Sequence, residues 1–121
     1  MLRTYDLLDS VLIDIEEGIR KGINADIVAK KHRLSEGHLR RLFKFTFDQP
    51  IANYIRLRKL KTSLNALLNT DSNLIDIALE YGFLYEQSYI RAFKREFGIT
   101  PGELRKAKKL PTAGLSSAVF S

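Results

Sequence analysis

One stretch of sequence occurs twice, as LRRLFKFTF at residues 39–47 and as YIRAFKREF at residues 89–97. At a shift of 50 positions the two copies repeat Arg-x-Phe-Lys in frame. Upstream the shift becomes 49, which pairs Ala29 with Ala78, and a turn longer by one residue explains the change. Shared apolar spacing can arise by accident in helical proteins, but in-frame polar identities argue against accident. A short helix, a tight turn and a second helix therefore occur twice.

Helical periodicity continues toward the N-terminus of the chain. Apolar residues recur at steps of three and four from Leu7 to Ile19, which predicts an amphipathic first helix ending near Lys21-Gly22. Asn24 and Ser35 are residues that can cap the second and third helices. A long fourth helix is expected after Pro50.

The C-terminal half carries similar helix signals. Ser72 or Asn73 can cap a fifth helix, and a sixth is predicted from about Tyr85 to Glu96. Thr100-Pro101-Gly102-Glu103 is a capping box with proline at the first helical position. The prediction is an all-α fold of about seven helices, in which two helix-turn-helix subdomains flank a long linker helix. The expected boundaries are 1–49, 50–69 and 70–108, followed by a tail at 109–121.

The distribution of charge points to a polyanionic partner. Residues 30–61 contain 10 basic and 2 acidic side chains, which leaves +8. Residues 1–29 and residues 62–81 each carry −3. A basic block between acidic ones is typical of a nucleic-acid-binding face, although a merely solvated basic surface has the same composition.

Other classes of protein find little support in the sequence. The chain has no cysteine, and its two histidines, His32 and His38, have no paired acid that would complete a metal site or a catalytic triad. A glycine-rich phosphate loop, a signal peptide and an apolar run of about 18 residues are also missing. We therefore expect no catalytic residue, metal or cofactor, no membrane association, and a cytoplasmic, nucleoid-associated location.

The helical phase assigns an inner and an outer face to the second helix of each repeat. Leu39, Leu42, Phe43 and Thr46 are expected to face the first core. Tyr89, Ala92, Phe93 and Phe97 are expected to face the second. The outward positions are then Glu36, Gly37, Arg40, Arg41 and Lys44 in the first unit, and Glu86, Gln87, Ile90, Arg91 and Lys94 in the second.

These outward side chains match what is needed to read the major groove. Arginine can bind guanine through two hydrogen bonds, glutamine can bind adenine, and glutamate can accept a hydrogen bond from cytosine. Ile90 has two readings of equal weight, contact with a thymine methyl group or a half-buried position. Arg41 and Arg91 could instead be scaffold residues in salt bridges, but their equivalent positions favour groove contact.

The remaining basic residues are expected to contact phosphate. Lys44 and Lys94 lie one turn further along their helices, where a phosphate contact would position the protein without specifying sequence. Arg56 and Arg58 lie on the linker helix, where a solvated face is the default reading and phosphate contact the alternative. Ser35, at the start of the third helix, is included in the expected phosphate set.

The second repeat resembles the DNA-binding domain of the AraC/XylS family of transcription regulators. The resemblance rests on two stretches: 76–83, with Asp-Ile-Ala and Gly-Phe, and 87–101, with Gln-Ser-Tyr, Phe-Lys and Thr-Pro. The first repeat adds residues 35–44 and 54–58. The resemblance to this family implies seven helices, two of which are recognition helices placed in successive major grooves. It also implies base contacts from Gly37, Arg40, Arg41, Glu86, Gln87 and Arg91.

Some positions depart from the family pattern. Gly37 stands where larger side chains are frequent, Pro50 replaces a capping threonine, and Leu104 replaces an aromatic residue. Arg33 fills the turn position that Gly82 fills in the second repeat, where a left-handed backbone would cost roughly 1–2 kcal/mol. Many family members also carry a sensor domain, for which 121 residues leave no space, so we expect either a stand-alone regulator or a fragment of a longer protein.

The expected function is sequence-specific binding of double-stranded DNA to regulate transcription, with RNA polymerase as a further candidate partner. The two outward faces differ in sequence, so one chain is expected to bind one asymmetric site of about 20 base pairs, or two helical turns. The alternative is a helical protein-interaction module with a basic surface, which explains the helices but not the duplicated basic faces.

Overall fold

A computed structural model describes residues 4–108, and within this range the predicted all-α fold with seven α-helices is confirmed. The helices are α1 (Thr4–Gly18), α2 (Ala25–Lys31), α3 (Glu36–Phe47), α4 (Ile51–Asn69), α5 (Leu74–Glu80), α6 (Glu86–Phe97) and α7 (Pro101–Lys108). A 3₁₀ turn, Ile19–Lys21, extends α1 to Gly22. The predicted tail at 109–121 lies outside the described residues.

Three helices begin with the predicted caps. The Asn24 side chain accepts a hydrogen bond from the amide of Ile27 at 2.9 Å, and Ser35 Oγ accepts one from His38 at 3.1 Å. At the start of α7, the Thr100 amide donates to Glu103 Oε1, and the Glu103 amide donates to Thr100 Oγ1. These bonds to Thr100 lower the pKa of the Glu103 carboxyl. The caps satisfy amide groups that have no partner inside the helix.

The chain divides into two compact units, Met1–Lys59 (unit 1) and Leu60–Ser121 (unit 2), and the division falls inside α4. The predicted linker helix at 50–69 corresponds to α4, but its halves contribute to different units. Ile51 and Ile55 are buried in the first half, and Leu60, Ser63 and Leu67 are buried in the second. The linker is thus a structural part of both units.

A ring pair on the second helix of each repeat organises each core. The ring centroids of Phe43 and Phe47 in α3 lie 4.6 Å apart, and those of Phe93 and Phe97 in α6 are separated by the same distance. The expectation that Thr46 faces the core is wrong, because Thr46 is exposed. Phe47 covers Phe43 one turn along, and Thr46 is rotated about 100° from Phe47 around the helix.

The two turns have the same backbone conformation but different residues. Arg33 has φ 58° and Gly82 has φ 85°, so both positions are left-handed. The Leu34 amide donates to Ala29 O, and the Phe83 amide donates to Ala78 O, which closes the two turns in the same way. Arg33 therefore adopts a conformation that is unfavourable for any residue with a Cβ.

Unit 2 contains two polar connections that close its core. The Arg105 guanidinium in α7 donates to the carbonyl oxygens of Leu67, Ser72 and Thr70 at 3.0, 2.7 and 3.3 Å. The fully buried Ser63 donates to Leu60 O, so it accepts from the hydroxyl of the equally buried Tyr89 at 2.8 Å. The first connection satisfies carbonyl groups in the last turn of α4 and just after it. The second satisfies the only polar side-chain atom of Tyr89.

Candidate nucleic-acid interface

Helix α3 is held by its inner face, which leaves a basic outer face. Leu39 and Phe43 are completely buried, and the Ser35 cap fixes where the helix begins. The outward residues that the sequence predicted as DNA contacts are all exposed on this helix: Gly37, Arg40, Arg41 and Lys44. The structure thus brings together the predicted residues of the first repeat on one exposed side.

Two of these cations are paired within the helix. Arg40 Nη2 lies 2.6 Å from Glu36 Oε1, and Lys44 Nζ lies 3.9 Å from Asp48 Oδ1. Both pairs are at the surface, and exposed pairs of this kind contribute roughly 0.3–0.5 kcal/mol. A phosphate or a base edge can therefore displace Glu36 or Asp48 from its partner at little cost.

Arg41 is available for a ligand. It forms no hydrogen bond or ion pair with any residue in the range 4–108, so the salt-bridge alternative receives no support there. Its side chain lines an open hollow of about 490 Å³ between α3 and the start of α4. The other lining residues are Arg40, Lys44, Pro50, Ile51 and Ala52. Three cations around an apolar floor suit the charged and apolar parts of a DNA backbone.

Gly37 lies beside Arg41 and shapes the space around it. A Cβ at position 37 would lie 3.3 Å from Arg41 Nη1, which is the end of a flexible side chain. Gly37 contributes no side chain to base reading itself. Its effect is to leave room for the Arg41 guanidinium, which a larger residue would displace.

Helix α6 repeats this arrangement in unit 2. Tyr89 and Phe93 are completely buried, while Gln87, Arg91 and Lys94 are exposed. The remaining predicted contacts, Glu86 and Ile90, are partly buried. Arg91, like Arg41, forms no hydrogen bond or ion pair with a described residue. The half-buried position of Ile90 agrees with one of its two readings and still leaves part of its side chain for a thymine methyl group.

The arginines of α4 have partners inside unit 1. Arg56 donates to Asn53 Oδ1 at 2.6 Å and remains exposed. Arg58 Nε and Nη2 both donate to the Glu16 carboxylate of α1, and this raises the pKa of the guanidinium. Arg58 therefore connects α4 to α1, in addition to any contact with phosphate.

The first helices of the two repeats differ in charge. Helix α2 ends in Lys30 and Lys31, whereas the corresponding residues of α5 are Leu79 and Glu80. Asp26 and Lys30 form an exposed ion pair at 3.1 Å. Its counterparts, Ile75 and Leu79, are apolar residues that remain 47% and 55% exposed. The first helix of the first repeat thus ends in two lysines that its counterpart in unit 2 lacks.

The sequence analysis missed two exposed residues directly before α6. Leu84 is 81% exposed and Tyr85 is 70% exposed. Two signals were available: the second turn is longer by one residue, and tyrosine stands where the first repeat has the capping Ser35. Neither signal indicates exposure by itself, because large apolar residues are buried in most proteins.

Two other features are missing from residues 4–108. No helix in this range could cross a membrane by its length and apolarity, and no three potential metal-ligating side chains in it are grouped.

Residues 28–107 match a protein family described as a helix-turn-helix domain, of the AraC/XylS type. The chain belongs to the AraC/XylS family. It is 34% identical over 99 residues to the regulatory protein SoxS of Salmonella typhimurium, a match that covers 82% of this chain and 92% of SoxS. The family is one of DNA-binding transcription regulators, and the sequence-based prediction of that function is confirmed.

Two further proteins are similar to this AraC/XylS chain. The transcriptional regulator Rob of S. typhimurium is 36% identical over 109 residues, covering 90% of this chain but 38% of Rob. The crystal structure of the C-terminal domain of the response regulator YesN from Fusobacterium nucleatum has a TM-score of 0.74 at 28% identity. That match covers 80% of this chain and 95% of the YesN domain.

Proposed function

We propose that this AraC/XylS chain binds one asymmetric site on double-stranded DNA, with α3 and α6 each placed in a major groove. The observation that carries the proposal is the equivalence of Arg41 and Arg91. Both are exposed, both lie on the outer side of a recognition helix, and neither is bound to a described residue. An arginine without a partner in the protein can form two hydrogen bonds to one guanine.

The proposed base-reading residues lie on these two helices. They are Gly37, Arg40 and Arg41 in α3, and Glu86, Gln87, Ile90 and Arg91 in α6. Gly37 acts by leaving space for Arg41, as the 3.3 Å separation from Arg41 Nη1 indicates. Only Arg91 repeats a residue of the base-reading set of α3, so we expect the two half-sites to differ in sequence.

The proposed phosphate contacts come from both units. They are Ser35, Lys44, Arg56 and Arg58 in unit 1, and Lys94 in unit 2. Arg58 is the weakest member because its guanidinium is already bound to Glu16. Most of these residues belong to unit 1, so we expect unit 1 to supply most of the sequence-independent affinity.

We propose RNA polymerase as a protein partner of the DNA-bound chain. The exposed apolar pair Ile75 and Leu79 on α5 supports a protein contact, because unit 1 has a solvated ion pair at the equivalent positions.

We also propose a nucleoid-associated, cytoplasmic location and a role without catalysis. A helical module that binds only proteins would not explain why Arg41 and Arg91 lie exposed at equivalent positions of the two repeats.

Arg91→Ala tests base reading, with Lys94→Ala as the matched control on the same helix. We expect Arg91→Ala to cost about 1–3 kcal/mol on the preferred site and to relax selectivity at one or two base pairs. Lys94→Ala should weaken binding to preferred and random duplexes equally. Binding isotherms on both duplexes, with helicity checked by circular dichroism, decide the matter. Equal losses on both duplexes for Arg91→Ala would remove it from the base-reading set.

The salt dependence of binding tests the phosphate set. Each neutralised phosphate should steepen the slope of log affinity against log salt by about 0.9. Lys44→Ala and Lys94→Ala should each reduce the slope by about one such step. An affinity that does not change between low and moderate salt would contradict DNA as the ligand.

A further inference from the structure

The two residues before α6 expose more apolar surface than the fold explains. Leu84 is 81% exposed and Tyr85 is 70% exposed, and they are consecutive. Leu84 has no counterpart in the first repeat, because it is the additional residue of the second turn. The counterpart of Tyr85 is Ser35. This exposed apolar pair therefore occurs in the second repeat only.

The Tyr85 side chain forms no stabilising polar or ring contact with another residue in the range 4–108. Ser35 caps α3, whereas the Tyr85 side chain makes no capping hydrogen bond to α6 from the same N-cap position. The side chain of Tyr85 also forms no ring contact, ion pair or other hydrogen bond with a described residue. Serine at position 85 would cap α6 and stabilise it. Tyrosine is thus the worse residue for the folded state, which suggests that its use lies elsewhere.

The position of this pair places it at the reading end of α6. In helix-turn-helix proteins the N-terminal residues of the second helix approach the base edges most closely. Tyr85 directly precedes Glu86 and Gln87, two of the proposed base-reading residues. An exposed apolar pair at this position is continuous with the DNA surface. In the major groove the apolar feature that a protein can recognise is the 5-methyl group of thymine.

We propose that Leu84 and Tyr85 pack against a thymine methyl group at the edge of the half-site read by α6, and so specify thymine there. The proposal rests on the proposed function, because it requires α6 to enter the major groove. The tyrosine ring and the leucine side chain supply the apolar contact, and the phenolic hydroxyl remains free to bind a phosphate oxygen.

The test replaces single thymines of the selected duplex with deoxyuridine, which removes only the methyl group. For the wild-type chain, we expect a position at the edge of the α6 half-site, distinct from any thymine that Ile90 contacts, at which this replacement weakens binding about fourfold, the effect of one methyl group. The Tyr85→Ser and Leu84→Ala variants should bind the thymine duplex more weakly and lose sensitivity to deoxyuridine at that position. Ile13→Ser, which removes an exposed apolar residue from α1, should retain the wild-type sensitivity.

Thermal unfolding of the same variants separates a DNA contact from a structural role. Tyr85→Ser should unfold at a higher temperature than the wild type while binding its site more weakly. Unchanged affinity and unchanged deoxyuridine sensitivity in both variants would overturn the proposal while leaving the Arg91 result intact. A wild-type chain that selects no duplex sequence at all would instead overturn the proposed function, and this inference with it.

Discussion

The two units share a ring pair but differ in the polar groups around it. The rings of Phe43 and Phe47 in unit 1, and of Phe93 and Phe97 in unit 2, have the same 4.6 Å spacing. Unit 1 places Arg33 at a left-handed turn, whereas unit 2 places glycine there. The two units thus share their apolar packing but differ in their polar residues. These polar differences can change the stability of each unit and the DNA sequence that it binds.

The residues that follow α3 and α6 show this difference most clearly. Ile55 of α4 is buried in unit 1, and its counterpart in unit 2 is Arg105, which binds three carbonyl oxygens. A buried isoleucine contributes by removing apolar area from water. An arginine contributes only if its hydrogen bonds are satisfied. At this position unit 2 therefore depends on directional hydrogen bonds, whereas unit 1 depends on apolar burial.

The largest expected effect comes from breaking this directional contact. Arg105→Ala leaves the carbonyl groups of Leu67, Thr70 and Ser72 without their donor, and it should lower the free energy of unfolding by about 1.5–3 kcal/mol. Arg105→Lys keeps the charge but lacks the planar fork that reaches several acceptors, so it should recover only part of the loss. Urea denaturation of the three chains measures this. Full recovery by lysine would mean that charge alone matters.

The buried hydroxyl pair of unit 2 gives the next effect. Ser63→Ala leaves the Tyr89 hydroxyl buried without a partner and should cost about 1–3 kcal/mol. Tyr89→Phe should cost less, about 0.5–1.5 kcal/mol, because Ser63 still donates to Leu60 O. Thermal unfolding followed by circular dichroism compares the two variants. A larger loss for Tyr89→Phe would contradict the assignment of Tyr89 as the donor.

Exchanging the turn residues should change the stability of the units in opposite directions. Arg33→Gly removes a left-handed penalty of roughly 1–2 kcal/mol but adds chain entropy of roughly 0.4–1 kcal/mol to the unfolded state, so a net gain of about 0.5–1 kcal/mol is expected. Gly82→Ala should cost about 1–2 kcal/mol. Denaturation midpoints check both changes. Destabilisation by Arg33→Gly would show that the arginine side chain stabilises unit 1 by some other contact.

The smallest expected effect is an acid-dependent loss that involves unit 1. Asp14 of α1 lies 2.6 Å from both Lys31 Nζ and His32 Nε2, and its side chain is 11% exposed. Burial alone would raise the pKa of Asp14, but hydrogen bonds from Lys31 and His32 outweigh burial and lower it. The carboxylate therefore stabilises the fold above its ordinary pKa of 3.8. This contribution is lost as pH falls below that value through the lowered pKa.

Asp14→Asn checks this pH dependence. The variant should be less stable than the wild type at neutral pH, and the difference should shrink as the solution is acidified below about pH 4, the ordinary range for an aspartate. Unfolding curves between pH 2 and pH 7, about the range over which carboxylates titrate, measure the difference. A difference that stays constant across this range would show that Asp14 acts by packing and not by its charge.

Local sequence signals predicted most of the fold. The caps at Asn24 and Ser35 and the capping box at Thr100 are interactions within four residues, so their sequence pattern is sufficient. The Arg105 bond to Leu67 O spans 38 residues and the Ser63–Tyr89 bond spans 26. No local pattern encodes such pairs, because they depend on how the helices pack.

The candidate site was predicted less evenly. The helical periodicity correctly predicted that Arg41, Arg91 and their basic neighbours are exposed, because buried aromatic rings fix the rotation of α3 and α6 about their axes. Phase did not reveal that Arg40 is paired with Glu36, or that Arg58 is bound to Glu16. It also gave no reason to place Tyr85 at the surface, since the apolar character of a residue predicts burial in most proteins.

The central claim is that the two diverged units of one chain read two different halves of one DNA site. Sedimentation equilibrium of the chain with a duplex selected from a random pool tests it most directly. The account predicts one chain per duplex, on a selected sequence without two-fold symmetry that spans about 20 base pairs, or two helical turns. Two chains per duplex on a palindromic sequence would contradict it.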